Sequence, residues 1–413
     1  MKLRHVIIFV YNSSGDPLVQ GGFQQFLLHA THQQPDLRLH IITYEQENYA
    51  LSPAQQEAQR ARWQAANIKW HPLNWHSGRL MPLKKLYDLF LGFLLCLRLR
   101  ATVGARSIMA FGTLAGGISL FIAKVLGLRY YVYQYEPHSE FMLDCNVWAP
   151  TSFAYRSLHA LEVLSTRHAD ILSTGTRHMM TRLKNEGSPA QLYLLPSCVD
   201  EERIQFSPEG RAQVRARYGF RDEQPVFLYL GKFGSLYYEQ EVPDFFAVLR
   251  QQIPATDSSE APHLFVVTPD APDYVAALMQ QAGLPESSYT ITRSKFEEVP
   301  AYISAADFGL VAVPPTPAQR FRSPIKVGEY LCCGLPYLTC RGVSEDDRVA
   351  EEYNVGVVVT EFSAAEAGRV SPRIAAFLAE DDHALRMRCR QAGVTYRGLG
   401  QYLSVADEIF SQL

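Results

Sequence analysis

The residues Ser323, Pro324, Ile325, Lys326 and Glu329, in the run Ser323-Pro324-Ile325-Lys326-Val327-Gly328-Glu329-Tyr330-Leu331-Cys332-Cys333-Gly334-Leu335-Pro336, read as the start of a helix aimed at an anion. Ser323 is a favoured N-cap and Pro324 suits the first helical position, where its missing N–H costs nothing. The free amides of that first turn and the positive end of the helix dipole attract phosphate. Lys326 adds a full charge in the same turn, and Glu329 follows on the same face. From Ser323 to Glu329 the rise is about 9 Å at roughly 1.5 Å per residue. That is the span from a diphosphate to the ribose of a nucleotide, and a carboxylate suits two vicinal hydroxyls. Gly334 and Pro336 close the helix ahead of the apolar run Tyr337-Leu338-Thr339. Alone, the pattern also fits an ordinary capped helix with an exposed charge pair. Its address argues for a site, because it follows the apolar strand Asp307–Val313 and a Pro-rich loop. Ligands of open α/β sheets bind beyond the carboxyl ends of strands.

Three other groups carry chemistry. Gly231-Lys232-Phe233-Gly234-Ser235 follows the strand Pro225–Leu230 and is a glycine-rich turn with a lysine, suited to a diphosphate. Gly21-Gly22 lies between the first strand and a helix expected at Phe23–Thr31, where paired glycines let backbone approach a ligand. It is not the fingerprint G-x-G-x-x-G, so a nicotinamide cofactor is unsupported. Glu136-Pro137-His138 follows the aromatic strand Arg129–Tyr135 and puts an imidazole beside carboxylates at a strand's carboxyl end. A histidine there exchanges protons near neutral pH; the competing reading is a His–carboxylate pair that fixes a turn.

The elements that must hold these residues are legible as apolar strands alternating with helices. Strands are expected at Leu3–Tyr11, Leu37–Tyr44, Ser107–Phe111, Ile171–Ser173, His263–Thr268, Ser288–Arg293 and Val355–Val359, near-continuous apolar runs as in a buried parallel sheet. Helices are expected at Pro53–Ala66, Leu114–Leu126, Ala149–His168, Arg177–Asn185, Glu209–Tyr218, Glu297–Ala305 and Asp346–Tyr353, with a last one near Leu403–Leu413. Pro254–Pro262 reads as a surface loop.

At 413 residues with 47% apolar and 20% charged side chains, the chain reads as two or three globular domains. Seven cysteines with no metal spacing predict reduced cytoplasmic thiols, and the run from Met1 into a strand shows no secretory signal. Residues 1–195 hold 19 Lys/Arg against 12 Asp/Glu, net +7, so the remainder of this net −3 chain is −10. That asymmetry points to an anionic partner for the first half. Nucleic acid is disfavoured, because no basic run is interleaved with aromatics. The apolar run within 82–101 is too short to span a bilayer and carries Asp88. Its flanks, Lys84-Lys85 and Arg98/Arg100, permit an interfacial helix on anionic lipid; a buried helix with basic ends is the other reading.

The segment Ser323–Pro336 resembles the nucleotide-binding helix of family 4 GT-B glycosyltransferases, which reads (Ser/Thr)-Pro-x-Lys-x-x-Glu-Tyr-x-x-x-Gly-x-Pro. The resemblance spans most of the chain and is strongest from about Leu195 to Gly356. It implies two Rossmann-like α/β domains facing a cleft: an acceptor domain at 1–195, a nucleotide-sugar domain at 196–395, and a helix at 396–413 returning to the first. Pro196-Ser197-Cys198-Val199-Asp200 matches the family's hinge, with Cys198 in the place of a glycine. The implied activity is transfer of a sugar from a nucleoside-diphosphate sugar to the hydroxyl of a glycan or lipid-linked acceptor. It is expected to retain configuration, by front-face attack, without metal or further cofactor, in bacterial envelope polysaccharide or glycolipid assembly. By the resemblance Lys326, Lys232 and Gly231 meet the diphosphate, Gly21-Gly22 lie near it, Arg293-Ser294-Lys295 meet the base, and Pro314–Arg322 the sugar. His138 matches the cleft histidine, with Glu136 beside it. The family's additional glutamate, eight residues before Glu329, is absent, since Phe321 stands there. That leaves the donor sugar open, and with it two other readings: a nucleotide-sugar epimerase, or a non-catalytic binding or scaffold protein.

Overall fold

The computed structural model describes residues 3–78, 81–253 and 260–413. Most of the loop expected at Pro254–Pro262 lies outside the described residues. The chain divides into two compact units, Met1–Pro196 with Gly400–Leu413, and Ser197–Leu399.

The first unit runs β1 (Arg4–Val10), a π-helical turn (Val19–Phe23), α1 (Gln24–Gln33), β2 (Leu37–Glu45), α2 (Pro53–Ala65), β3 (Ile68–Asn74), α3 (Met81–Thr102), β4 (Ser107–Phe111), α4 (Thr113–Leu126), β5 (Arg129–Tyr133), α5 (His138–Asp144), α6 (Phe153–His168), β6 (Ile171–Thr174), α7 (Arg177–Asn185) and β7 (Gln191–Leu194). All seven strands are parallel, in the order β3-β2-β1-β4-β5-β6-β7. The order reverses between β1 and β4, and the loops leaving those two strands flank the switch point of a doubly wound sheet. Two expected boundaries shift. The helix placed at Ala149 begins at Phe153, because Ser152 caps it, accepting from the Tyr155 amide at 3.2 Å. The helix placed at Phe23 is entered through the π-helical turn, inside which Gly21 has ψ −135°.

Three histidines on neighbouring strands form a chain across one face of this sheet. His5 Nδ1 meets His40 Nε2 at 3.0 Å, and His40 Nδ1 meets His71 Nε2 at 3.2 Å. Burial holds both His40 and His71 down to about 4; His71 and Lys69 add repulsion at His40, and Lys69, Arg98 and Arg60 at His71. His5 is lowered too, by burial and Arg38. The unfolded chain, with ordinary imidazoles near pH 6.5, therefore binds more protons than the folded one between pH 6.5 and 4. Through these three imidazoles, acidification across that window costs stability on the order of 2–3 kcal/mol after allowance for water at the partly exposed His5 and His71. Urea melts at pH 7 and pH 4.5 should show a pH-dependent loss that His40→Phe, which removes one of the three imidazoles, reduces by about 1 kcal/mol; equal losses in the two proteins would exclude this reading.

The second unit runs α8 (Pro208–Tyr218), β8 (Val226–Leu230), α9 (Glu241–Gln252), β9 (His263–Val267), α10 (Pro272–Gln281), β10 (Tyr289–Thr292), α11 (Val299–Ser304), β11 (Phe308–Val311), α12 (Ile325–Cys332), β12 (Tyr337–Cys340), α13 (Asp346–Glu352), β13 (Gly356–Val359), α14 (Ala364–Leu378) and α15 (Asp382–Arg397). Its six parallel strands follow the order β10-β9-β8-β11-β12-β13, so the reversal falls between β8 and β11. Helix α12 is seated by close approaches. The Tyr330 ring lies where a Cβ on Gly309 would stand, 2.5 Å away, so only glycine admits it in β11. On its other side α12 meets α15, where a Cβ on Gly393 would come within 2.8 Å of the Cys332 amide.

The final helix, α16 (Leu399–Gln412), belongs to the first unit from Gly400 onward. Tyr402 Oη pairs with Tyr133 Oη at 2.7 Å, Phe410 packs on Phe26, and Arg4 donates to the Phe410 carbonyl at 2.7 Å.

Candidate active site

In the second unit, the loops leaving β8 and β11 flank the switch point, and between them they carry both lysines singled out by the sequence. Gly231-Lys232-Phe233-Gly234-Ser235 leaves β8. A Cβ on Gly231 would meet nothing within 4 Å, and Gly234 and Ser235 are left-handed at φ 71° and 58°. The Phe233 amide donates to Asp270 Oδ2 at 2.8 Å, and Tyr229 Oη donates to the Lys232 carbonyl. The backbone of the turn is thereby tied down while the Lys232 side chain stands exposed. The Gly231 and Gly234 amides are likewise used within the protein, bonding to the Val267 carbonyl at 3.1 Å and the Tyr238 carbonyl at 3.3 Å, so the Lys232 side chain is the group this turn offers an oxyanion.

The loop leaving β11 leads to α12, and here the structure corrects the expected cap. Helix α12 begins at Ile325, Pro324 occupies the N-cap position with φ −61° and ψ 128°, and no side chain caps the helix. The Ser323 hydroxyl is used elsewhere: it accepts from the Ser197 amide at 3.0 Å and from the Arg397 guanidinium. The first amides of α12 are therefore left without a side-chain acceptor, at the positive end of the dipole. Gly334, at φ 74°, and the bond from the Leu335 amide to the Tyr330 carbonyl at 2.9 Å end the helix.

In the first turn of α12, Lys326 Nζ donates to Glu329 Oε2 at 2.9 Å. Glu329 is 4% exposed, whereas the Lys326 side chain keeps 30% exposure. The pair holds each group in place and neutralises a carboxylate that would otherwise be buried alone. Ser294 stands two strands from β8, beyond β10 at the sheet edge, half-buried between the exposed Arg293 and Lys295.

In the first unit, β5 delivers Glu136-Pro137-His138 to its carboxyl end, and His138 opens α5. His138 Nδ1 lies 2.8 Å from Glu136 Oε1; Glu136 is 5% exposed, the His138 side chain 33%. With Nδ1–H donated to the carboxylate, the ring presents Nε2 as an acceptor, and Nε2 has no protein partner among the described residues. Trp148 sets its edge against the imidazole at a centroid distance of 6.2 Å. The arrangement fits an imidazole that accepts a proton from a hydroxyl while its partner steadies the cation that forms. Gly21 and Gly22 follow β1, on the other side of the β1/β4 switch point from β5; a Cβ on Gly21 would meet nothing within 4 Å.

Two groups that support these residues were missed in the sequence. Glu162, buried on α6, accepts from the Ser139 amide at 3.0 Å and from the Ser139 hydroxyl, and so anchors the start of α5. Burial pushes its carboxyl up to about 7, against the pull of Ser139 and His138. Its spacing from Leu158 and Ser165 puts it on the inward face of α6, a signal the sequence did contain. Arg397 and Asp346 form a fully buried ion pair at 2.7 Å behind Ser323. No local pattern announces it.

No family model matches this chain, and no curated protein does. Solved structures do. HepE of Anabaena, solved with UDP, is 13% identical and superposes with a TM-score of 0.71 over 100% of both chains. The same protein is also known with UDP-glucose. Sucrose-phosphate synthase of Thermosynechococcus elongatus is 16% identical, with a TM-score of 0.69 over 99% of each chain. WaaG, a glycosyltransferase of lipopolysaccharide biosynthesis, is 16% identical, with a TM-score of 0.62 over 98% of each. The chain has the GT-B fold of these glycosyltransferases, built from two Rossmann-like units.

Proposed function

We propose that the chain transfers a glycosyl group from a nucleoside-diphosphate sugar to an acceptor hydroxyl. The observation that carries the proposal is the convergence, at the β8/β11 switch point, of an open glycine turn bearing Lys232 with an uncapped helix start bearing Lys326 and Glu329. The binding of UDP and UDP-glucose by HepE, a protein of the same fold, supports the donor class. In this reading the α12 amides, Lys326 and Lys232 receive the diphosphate. Charge builds on that leaving group as the glycosidic bond breaks, and fixed donors stabilise it more in the transition state than in the ground state. Glu329 takes the ribose hydroxyls when Lys326 turns to the phosphates. Ser294, with Arg293 and Lys295, faces the base. In the first unit Gly21 and Gly22 leave room for the donor, and His138, oriented by Glu136, accepts the hydrogen bond or proton of the acceptor hydroxyl. Two lysines and a helix dipole supply positive charge, so we propose a reaction that needs no metal. Retention of configuration is the stereochemistry the family resemblance implies.

A panel of UDP, GDP, ADP, dTDP and CMP sugars tests the proposal by thermal shift and by nucleotide release with an acceptor. A ligand that binds the folded protein stabilises it by RT ln(1 + L/Kd), where L is the free ligand concentration, and so raises its melting temperature. Stabilisation by one class, with nucleotide release that an acceptor accelerates, is the expected outcome. Free sugar epimers without nucleotide release would instead favour an epimerase, and stabilisation by none would favour a scaffold.

We place the acceptor on a glycolipid or lipid-linked glycan of the cell envelope, with the protein peripheral on the cytoplasmic face of the membrane. No helix of the described residues is long and apolar enough to cross one. Instead α3 turns Leu83, Leu86, Tyr87, Phe90, Leu94 and Leu97 outward at helical spacing, with Phe90 54% and Leu86 65% exposed. The adjacent α4 adds Phe121 and Val125. Asp88 is the one acid in either helix and is buried against His76 and Lys85, while Lys84, Arg98, Arg100 and Lys124 lie along them. Apolar area bordered by cations suits an anionic bilayer. Sedimentation with phosphatidylglycerol vesicles should deplete the protein from solution. Leu86→Glu with Phe90→Glu should weaken that binding at least about ten-fold; a wild-type protein that ignores such vesicles would remove the membrane from the account.

A further inference from the structure

We infer that Arg397 is a positioning residue that keeps the amino end of α12 open for a diphosphate, by holding the Ser323 hydroxyl away from the helix. The inference rests on the donor site proposed above and names the device that keeps it available.

Ser323-Pro324 is by residue type an N-cap followed by a first helical residue. Left to local preference, α12 would start at Pro324 with the Ser323 oxygen accepting from its first-turn amides. It does not: the helix begins one residue later and has no side-chain cap. A hydroxyl oxygen has two acceptor sites, and at Ser323 they are filled by the Arg397 guanidinium and by the Ser197 amide at 3.0 Å. Arg397 has no freedom to do otherwise. It is fully buried, donates to Asp346 Oδ1 at 2.7 Å and to the Ser197 carbonyl at 3.1 Å, and its stem lies against Gly328 of α12, where a Cβ would come within 3.0 Å of it. Asp346 is equally buried and is braced by Tyr396 Oη at 3.3 Å. A buried ion pair is a poor stabiliser beside apolar residues of the same volume. Here it performs a task that apolar residues cannot, because it draws a natural capping oxygen off a helix end. Without the guanidinium, Ser323 is free to satisfy the α12 amides itself, and a phosphate oxygen must displace it.

Arg397→Met alone strands a buried carboxylate, so the test uses Arg397→Met with Asp346→Asn, and the same pair with Ser323→Ala added. Each folded protein is titrated calorimetrically with UDP, GDP, ADP and dTDP and with the parent nucleosides. The double variant should bind the preferred diphosphate roughly ten-fold more weakly with nucleoside binding unchanged, and the triple variant should recover most of that loss. A purely structural role predicts loss for diphosphate and nucleoside alike, with no rescue by removing a hydroxyl. A double variant with unaltered diphosphate affinity, or a loss that Ser323→Ala leaves in place, overturns the inference while the donor site stands. A wild-type protein that binds none of the diphosphates overturns both, and does so before any variant is made.

Discussion

Lys326→Ala is expected to weaken nucleoside diphosphate binding by about 10- to 100-fold while changing affinity for the bare nucleoside by about three-fold or less. The size follows from the loss of a charge-assisted hydrogen bond, about 1.5–3 kcal/mol. The asymmetry follows from the geometry, since Lys326 stands at the start of α12 and Glu329 one turn on. The substitution also removes the partner of a carboxylate that is only 4% exposed. Some fall in melting temperature is therefore expected and has to be separated from binding by working well below the transition. Calorimetric titration of both ligands checks the claim; equal losses for the two would mean that the lysine acts on the pocket as a whole and not on phosphate.

His138→Ala should produce the largest kinetic effect, a fall in kcat of roughly 10²- to 10³-fold with donor affinity within about two-fold of wild type. The fixed tautomer carries this prediction. Glu136 holds Nδ1 at 2.8 Å and leaves Nε2 to the acceptor hydroxyl. His138→Gln keeps a hydrogen-bonding side chain of similar reach but loses the base, so it should rescue acceptor binding more than turnover. A variant whose donor affinity collapses while turnover of bound donor survives would move His138 to the donor side.

The contrast between what was legible in the sequence and what was not follows the range of the interactions. Gly231-Lys232, Glu136-Pro137-His138 and Ser323 to Glu329 were visible because the residues that define each group lie within a few positions of one another. The strands were visible because a sheet covered on both faces leaves long apolar runs, as in Val6–Val10. Strand β3 gives no such run: Ile68–Asn74 is an edge strand with both buried and exposed positions and carries Pro72, which reads as a breaker. Helix α9 is masked in a similar way, since Pro243 reads as a breaker but sits in the first turn, where the missing N–H does no harm. The register of α12 was beyond local reading. The capping rule at Ser323-Pro324 is sound, and a guanidinium 74 residues away overrides it. The partners of His138 divide the same way, Glu136 being two residues off and Glu162, which anchors the next residue, on another helix.

The central claim is that the amino end of α12 binds a diphosphate and Glu329 the attached ribose. A crystal structure of the protein with its preferred nucleoside diphosphate tests it directly. The account predicts phosphate oxygens within hydrogen-bond distance of the Ile325 and Lys326 amides and Lys326 Nζ, with a ribose hydroxyl on Glu329. A nucleotide bound away from the β8/β11 switch point, with Lys326 still paired to Glu329, would contradict it.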